Sequence, residues 1–158
     1  MMDRTGVPYD LVDTWQLNNQ VNLRLLENLT DEQLAATIRP RGKNVASQFV
    51  HIHHLRIYWL ERRARTLAKG LNKIEPGTGT KAVLRQALND SGKAIGELIT
   101  EAEQTRTLKG AKRGLVAFFG YALAHEAHHR GQIILHLKYA KLPIDKMFGY
   151  SLWEWQKI

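Results

Sequence analysis

Cysteine is absent from the 158-residue chain. That excludes a disulfide framework, a thiolate metal ligand and a cysteine nucleophile supplied by the protein itself, so any metal site must use nitrogen and oxygen donors. No apolar run approaches the roughly 20 residues a membrane-crossing helix needs. The segment Met1-Met2-Asp3-Arg4-Thr5-Gly6-Val7-Pro8 also lacks the charged-then-apolar layout of a secretory signal. A cytoplasmic location with no membrane partner is the expectation. Strand-like alternation, internal repeats, low-complexity tracts, a Ser-His-Asp arrangement and a phosphate-binding glycine-rich loop are missing too.

What is present fits one folded domain spanning residues 1–158, with 44% hydrophobic and 24% charged residues and enough length for a real core. The net charge of +8 and pI near 9.9 would favour a polyanion. The cations fall into modest clusters, however: Arg39, Arg41 and Lys43 in a loop, Arg62, Arg63, Arg65 and Lys69 near a helix end, and Lys109, Lys112 and Arg113 in a connection. The helix dipole gives the second cluster a local explanation. With no nucleic-acid-binding motif in the chain, nucleic acid is not expected as the main ligand, and the basic surface would attract anionic small molecules as well.

Apolar periodicity predicts four long helices. The first runs from about Tyr9 to Leu29, its stripe of Leu11, Trp15, Leu25, Leu26 and Leu29 also carrying Asn18 and Asn22, which mark a polar interior patch or the rim of a site. Thr30-Asp31-Glu32-Gln33 reads as a capped start of a short helix, broken by Arg39-Pro40-Arg41-Gly42. The second long helix extends from about Asn44 to Leu67 or Lys69, with Gly70 as its stop and Val45, Phe49, Ile52, Leu55 and Trp59 on its stripe. After the loop Glu75 to Thr80, the third covers about Lys81 to Gln104, where Gly92 and Gly96 weaken the helix slightly or permit close packing. The fourth runs from near Gly114 to about Lys141, closed by Leu142-Pro143, and an aromatic tail with Phe148, Tyr150, Trp153 and Trp155 covers one end. The fold class is therefore all-α: a four-helix bundle with short extra helices and an aromatic C-terminal tail.

The fourth helix has two sides. Phe118, Ala122, His125, His129, Ile133 and His136 share one broad face, while Gly120, Ala124, Ala127 and Gly131 form a ridge of small residues roughly opposite. That ridge suits close contact with another helix of the bundle or with a second copy in a dimer. His125 and His129 lie one turn apart, a spacing that brings two imidazoles to one metal ion. A third donor must come from His51, His53 and His54 on the second helix, and spacing does not choose between His51 and His54. The competing reading makes the pair polar interior residues, with His53 and His128 facing solvent.

As a whole the pattern resembles the DinB/YfiT-like family of metalloenzymes, named from a DNA-damage-inducible member. The likeness rests on Phe49-Val50-His51-Ile52 with Trp59 following, and on His125-Glu126-Ala127-His128-His129-Arg130-Gly131-Gln132. It implies a bundle in which His51, His125 and His129 hold a divalent ion; among Zn, Ni, Fe and Mn, imidazole donors suit the first three better than the last, Zn or Ni before Fe. It also implies use of a low-molecular-weight thiol such as bacillithiol or mycothiol, a small-molecule substrate, and a homodimer.

Three neutral imidazoles leave coordination positions open, and an ion there lowers the pKa of a bound water or thiol. The expected function is hydrolysis of, or thiol transfer to, a small electrophile. The alternative is a non-catalytic stress-associated binding or interaction protein with a structural metal or a basic surface. Gln132, Tyr121, Asn18 and Asn22 are candidates to orient the ligand rings. Glu126 reads as an exposed charge or salt-bridge partner, or else as a proton shuttle. Arg130 reads as an anchor for an anionic substrate or a partner for a surface carboxylate.

Overall fold

The computed structural model describes residues 11–39 and 42–158. The segment Met1 to Pro8, the predicted helix start at Tyr9, and Pro40 and Arg41 of the predicted break lie outside the described residues. The elements in chain order are α1 (Leu11–Asn28), α2 (Asp31–Ala35), α3 (Val45–Arg63), α4 (Arg65–Ala68), α5 (Lys81–Thr105), α6 (Gly114–Tyr139) and α7 (Lys146–Ser151), followed by a 3-10 turn at Trp155–Lys157. Among the described residues there is no strand, only an isolated bridge between Thr37 and Asn44. Among the described residues no helix is long and apolar enough to cross a membrane.

Local chemistry sets most of these boundaries. Thr30 and Gln33 form a reciprocal capping box that starts α2, and the side chains of Asn44, Thr80 and Asp145 accept the orphan N–H groups that open α3, α5 and α7. α6 stops where Lys141 takes a left-handed φ of 61° and the Leu142 N–H reaches back to the Leu137 carbonyl, ahead of Pro143. The second predicted helix ends earlier than its periodicity suggested. Ala64, at φ −149° and ψ 75°, breaks it after Arg63, and Ala64, Leu67, Ala68 and Leu71 then fold back against the core. Gly70, at φ +85°, follows the short helix α4 instead of capping a long one.

α1, α3, α5 and α6 form the bundle. α1 packs mainly on α5, α5 on α3, and α3 on α6, which closes the ring against α1. The consecutive long helices α1 and α3 therefore lie across the bundle from each other. Gly92 of α5 makes the first contact close: a Cβ there would come within 2.5 Å of Asn19 Nδ2, and the Gly92 carbonyl accepts from Trp15 Nε1 at 2.8 Å.

The core is in two parts. One cluster gathers Leu25, Leu26, Phe49, Ile52, Leu88 and Ile133, the other Trp15, Trp59, Ile95, Ile99, Phe118 and Ala122. Between them along every long helix comes a buried polar position: Asn18 and Asn22 on α1, Arg56 on α3, Ser91 on α5 and Glu126 on α6. The tail covers the first cluster with Phe148, Leu152 and Trp155, while Tyr150 and Trp153 stay in solvent, Trp153 at 80% exposure.

The small-residue ridge is not packed within the bundle. Gly120, Ala124, Ala127 and Gly131 are exposed, and a Cβ added at Gly120 or Gly131 meets nothing within 4 Å among the described residues. The expectation that a neighbouring helix of the same chain fills this face is therefore corrected.

Candidate metal centre

α3 and α6 run side by side, and the turn of α3 carrying His51 faces the two turns of α6 carrying His125 and His129. Their ring centroids stand 5.5 Å (His51 to His125), 4.5 Å (His51 to His129) and 4.6 Å (His125 to His129) apart. One nitrogen from each ring lies within 4.8 Å of the other two. The three side chains are half-buried, so the cluster is held by the helices yet reaches solvent.

Its electrostatics favour neutral rings. Burial lowers the pKa of all three, and the positive charge a neighbouring imidazolium would carry lowers His51 and His129 further, His129 to about 4. For His125, Glu126 partly offsets the effect of burial. Neutral imidazoles with free lone pairs are the form that binds a divalent ion.

Hydrogen bonding agrees. Gln48, one turn before Ile52 on α3, places its Oε1 2.7 Å from His129 Nδ1. An amide oxygen only accepts, so Nδ1 carries the proton and Nε2 keeps its lone pair. His125 Nδ1 is buried without a hydrogen-bond partner among the described residues. A donor set of half-exposed neutral rings with an orphaned buried nitrogen fits a divalent metal cation.

The other histidines are committed elsewhere. His54 Nε2 accepts from the Ile74 N–H at 2.9 Å, and His53 Nε2 meets the Asn72 carbonyl at 2.9 Å. His53, expected in solvent, is 2% exposed because the segment after α4 folds over it. Both His136 nitrogens face main-chain carbonyls, of Gln132 and Lys43, which occupies the ring away from the triad. His128 is exposed, as its position on the helical wheel suggested.

Beside the triad lies the polar layer. Arg56 grips Glu126 with two bonds, Nε to Oε1 at 2.7 Å and Nη2 to Oε2 at 2.9 Å. Asn18 and Asn22 each donate Nδ2 to Glu126 Oε2 at 2.7 Å and accept at Oδ1 from Arg130 Nη1. Arg56 Nη1 also reaches Asn19 Oδ1 and the Leu88 carbonyl, and its guanidinium lies 5.0 Å from the Trp15 ring centroid. Glu126 is thus a salt-bridge partner, but with 1% exposure it is a buried one and no surface charge. Asn18, Asn22 and Arg130 serve this layer; among the described residues none of them bonds to a ring of the triad. Tyr121 touches His125 through its ring, at 5.8 Å between centroids.

Sequence reasoning missed Gln48 and Arg56. Arg56 stands on the stripe of Phe49, Ile52 and Trp59, and a cation on an apolar stripe was the available signal. Gln48 carried none, because its partner lies 81 residues away.

A half-exposed imidazole triad between facing helices defines a four-helix bundle suited to metal binding. The chain belongs to the DinB family: the model for that family matches residues 1–141. No curated protein and no solved structure matches the chain.

Proposed function

We propose that the protein is a divalent-metal-dependent enzyme in which His51, His125 and His129 hold Zn or Ni, with Fe also accommodated. Its reaction is hydrolysis of, or transfer of a low-molecular-weight thiol to, a small electrophilic substrate. The convergence of three neutral, half-exposed imidazoles on one point supports this reading. When bound, the ion supplies a Lewis acid that lowers the pKa of a water or thiol toward neutrality.

The chain's own residues do the rest. Gln48 fixes the His129 tautomer and ring plane, the Arg56–Glu126 layer anchors α6 against α1 and α3, and Tyr121 and Trp59 wall the approach to His125. A ligand set open on one side favours catalysis over a closed structural site. The exposed ridge of Gly120, Ala124, Ala127 and Gly131 supports a homodimer through α6.

The test is metal content by plasma mass spectrometry on untagged protein, beside a His125→Ala/His129→Ala chain. Near-stoichiometric metal lost in the double variant, followed by turnover of electrophiles with water or thiols, is the expected result. An unchanged metal content, or no uptake after incubation with Zn or Ni, removes the reading.

A further inference from the structure

We propose that the basic cleft where α3 meets α4 binds the anionic group of the substrate, a small molecule carrying a carboxylate or phosphate, while its other end reaches the histidine triad. The proposal rests on the metal-centre reading and names the substrate class for that site. The cleft, of about 1270 Å³, is lined by the cations Arg62, Arg63, Arg65, Lys69 and Lys109 against the single carboxylate of Glu61.

None of those five cations is in a salt bridge among the described residues. Arg62 stacks over the Tyr58 ring at 4.3 Å, Arg63 lies 4.8 Å from the Phe118 ring, and Arg65 donates to the Glu61 main-chain carbonyl. Arg63 Nε is buried with no hydrogen-bond partner among the described residues. A guanidinium held in place by an aromatic face at the wall of a cleft offers its outer N–H groups to an oxyanion without first having to be ordered.

The helix dipole accounts for Arg62 and Arg63 in the last turn of α3. It does not account for Lys109, which the α5–α6 connection brings to the same cleft. Like charges drawn together from separate segments repel unless an anion sits between them.

The cleft and the metal centre share walls. Trp59 and Tyr121 line the cleft, and both rings also contact His125, at 6.2 Å and 5.8 Å. A molecule held by its anionic group among the cations therefore extends along two aromatic faces toward the triad. The cations converge on one pocket and do not run as a stripe along a face, which suits a small anion better than a nucleic-acid backbone.

The experiment is calorimetric titration of metal-free protein with phenyl phosphate, with benzyl alcohol as the neutral counterpart. Arg63→Gln and Lys109→Gln are each compared with Lys138→Gln, a charge lost elsewhere on the surface. Phenyl phosphate should bind, benzyl alcohol should not, and each cleft variant should weaken binding by about tenfold, with Lys138→Gln close to native. Lys109 is exposed, so its variant tests the cleft even if Arg63→Gln does not fold.

Equal binding of benzyl alcohol, or equal weakening by Lys138→Gln, overturns the proposal. So does a single-stranded oligonucleotide that binds more tightly at physiological salt and depends on the same residues. Metal uptake measured on the same proteins judges the triad separately. Phenyl phosphate bound by a chain that takes up no metal leaves the cleft standing and removes the metal-centre reading; the reverse result removes the cleft alone.

Discussion

Arg56 and Glu126 form a two-pronged ion pair in the centre of the bundle, 2.7 Å and 2.9 Å across, with exposures of 0% and 1%. Glu126 directly follows His125 in the chain, so α6 turns one side chain to the triad and the next to this pair. The histidine cluster and the buried charge are therefore carried by the same two helices.

Removing one member of the pair leaves the other's charge buried without its counter-ion. Glu126→Leu should destabilise the fold by about 3–5 kcal/mol, and Arg56→Met combined with Glu126→Leu should recover much of that loss. Urea unfolding of the two single variants and the double variant measures the coupling. Additive losses would mean that the pair is not a unit.

Gln48→Leu takes away the acceptor for His129 Nδ1–H and frees the ring to turn or change tautomer. Metal affinity should fall by about 10–100-fold while the bundle still folds. Gln48→Glu, which keeps the acceptor, should restore most of it. Competition with a chelator gives the affinities, and identical values for all three chains would assign Gln48 no part in the site.

The depressed pKa values make stability pH-dependent in a stated direction. His129 falls from 6.5 in the unfolded chain to about 4 when folded, through burial first and the neighbouring rings second, and His51 and His125 shift the same way. The unfolded state then binds more protons between these values. The stabilising effect of neutral rings is complete above 6.5 and is lost as pH drops toward 4. The melting temperature of metal-free protein should fall across that window, less steeply for His129→Ala, and bound metal should be released over the same range. A native and a variant chain with parallel melting profiles would contradict this.

The open space at Gly131 predicts that Gly131→Leu leaves monomer stability intact or raises it by about 0.5–1 kcal/mol, since glycine weakens a helix interior. If a second copy packs on the ridge, the same change shifts the mass in solution from dimer to monomer. Sedimentation velocity beside thermal melting separates the two effects. A large loss of stability in a chain that stays monomeric would show that the ridge packs inside the bundle after all.

Much of this architecture was legible from local patterns. The stripe of Trp15, Asn18, Asn22 and Leu25 is buried as periodicity required, and Thr30, Asn44 and Thr80 cap helices because their side-chain oxygens lie within reach of orphan N–H groups. The pairing of His125 with His129 follows from helical pitch alone. The choice of His51 over His54 came from likeness to a family, and in the fold His54 is taken up by the Ile74 N–H.

The sequence by itself determined where the four long helices lie, the apolar stripes of α1 and α3 and the one-turn spacing of two histidines, because these patterns depend on neighbours within a few residues. Tertiary structure decided which helices meet. It alone set α3 beside α6, joined Gln48 to His129 and Arg56 to Glu126, buried His53, and left the α6 ridge in solvent. Those outcomes arise between groups dozens of residues apart, where only the packed bundle fixes distance and desolvation, and a linear pattern carries neither.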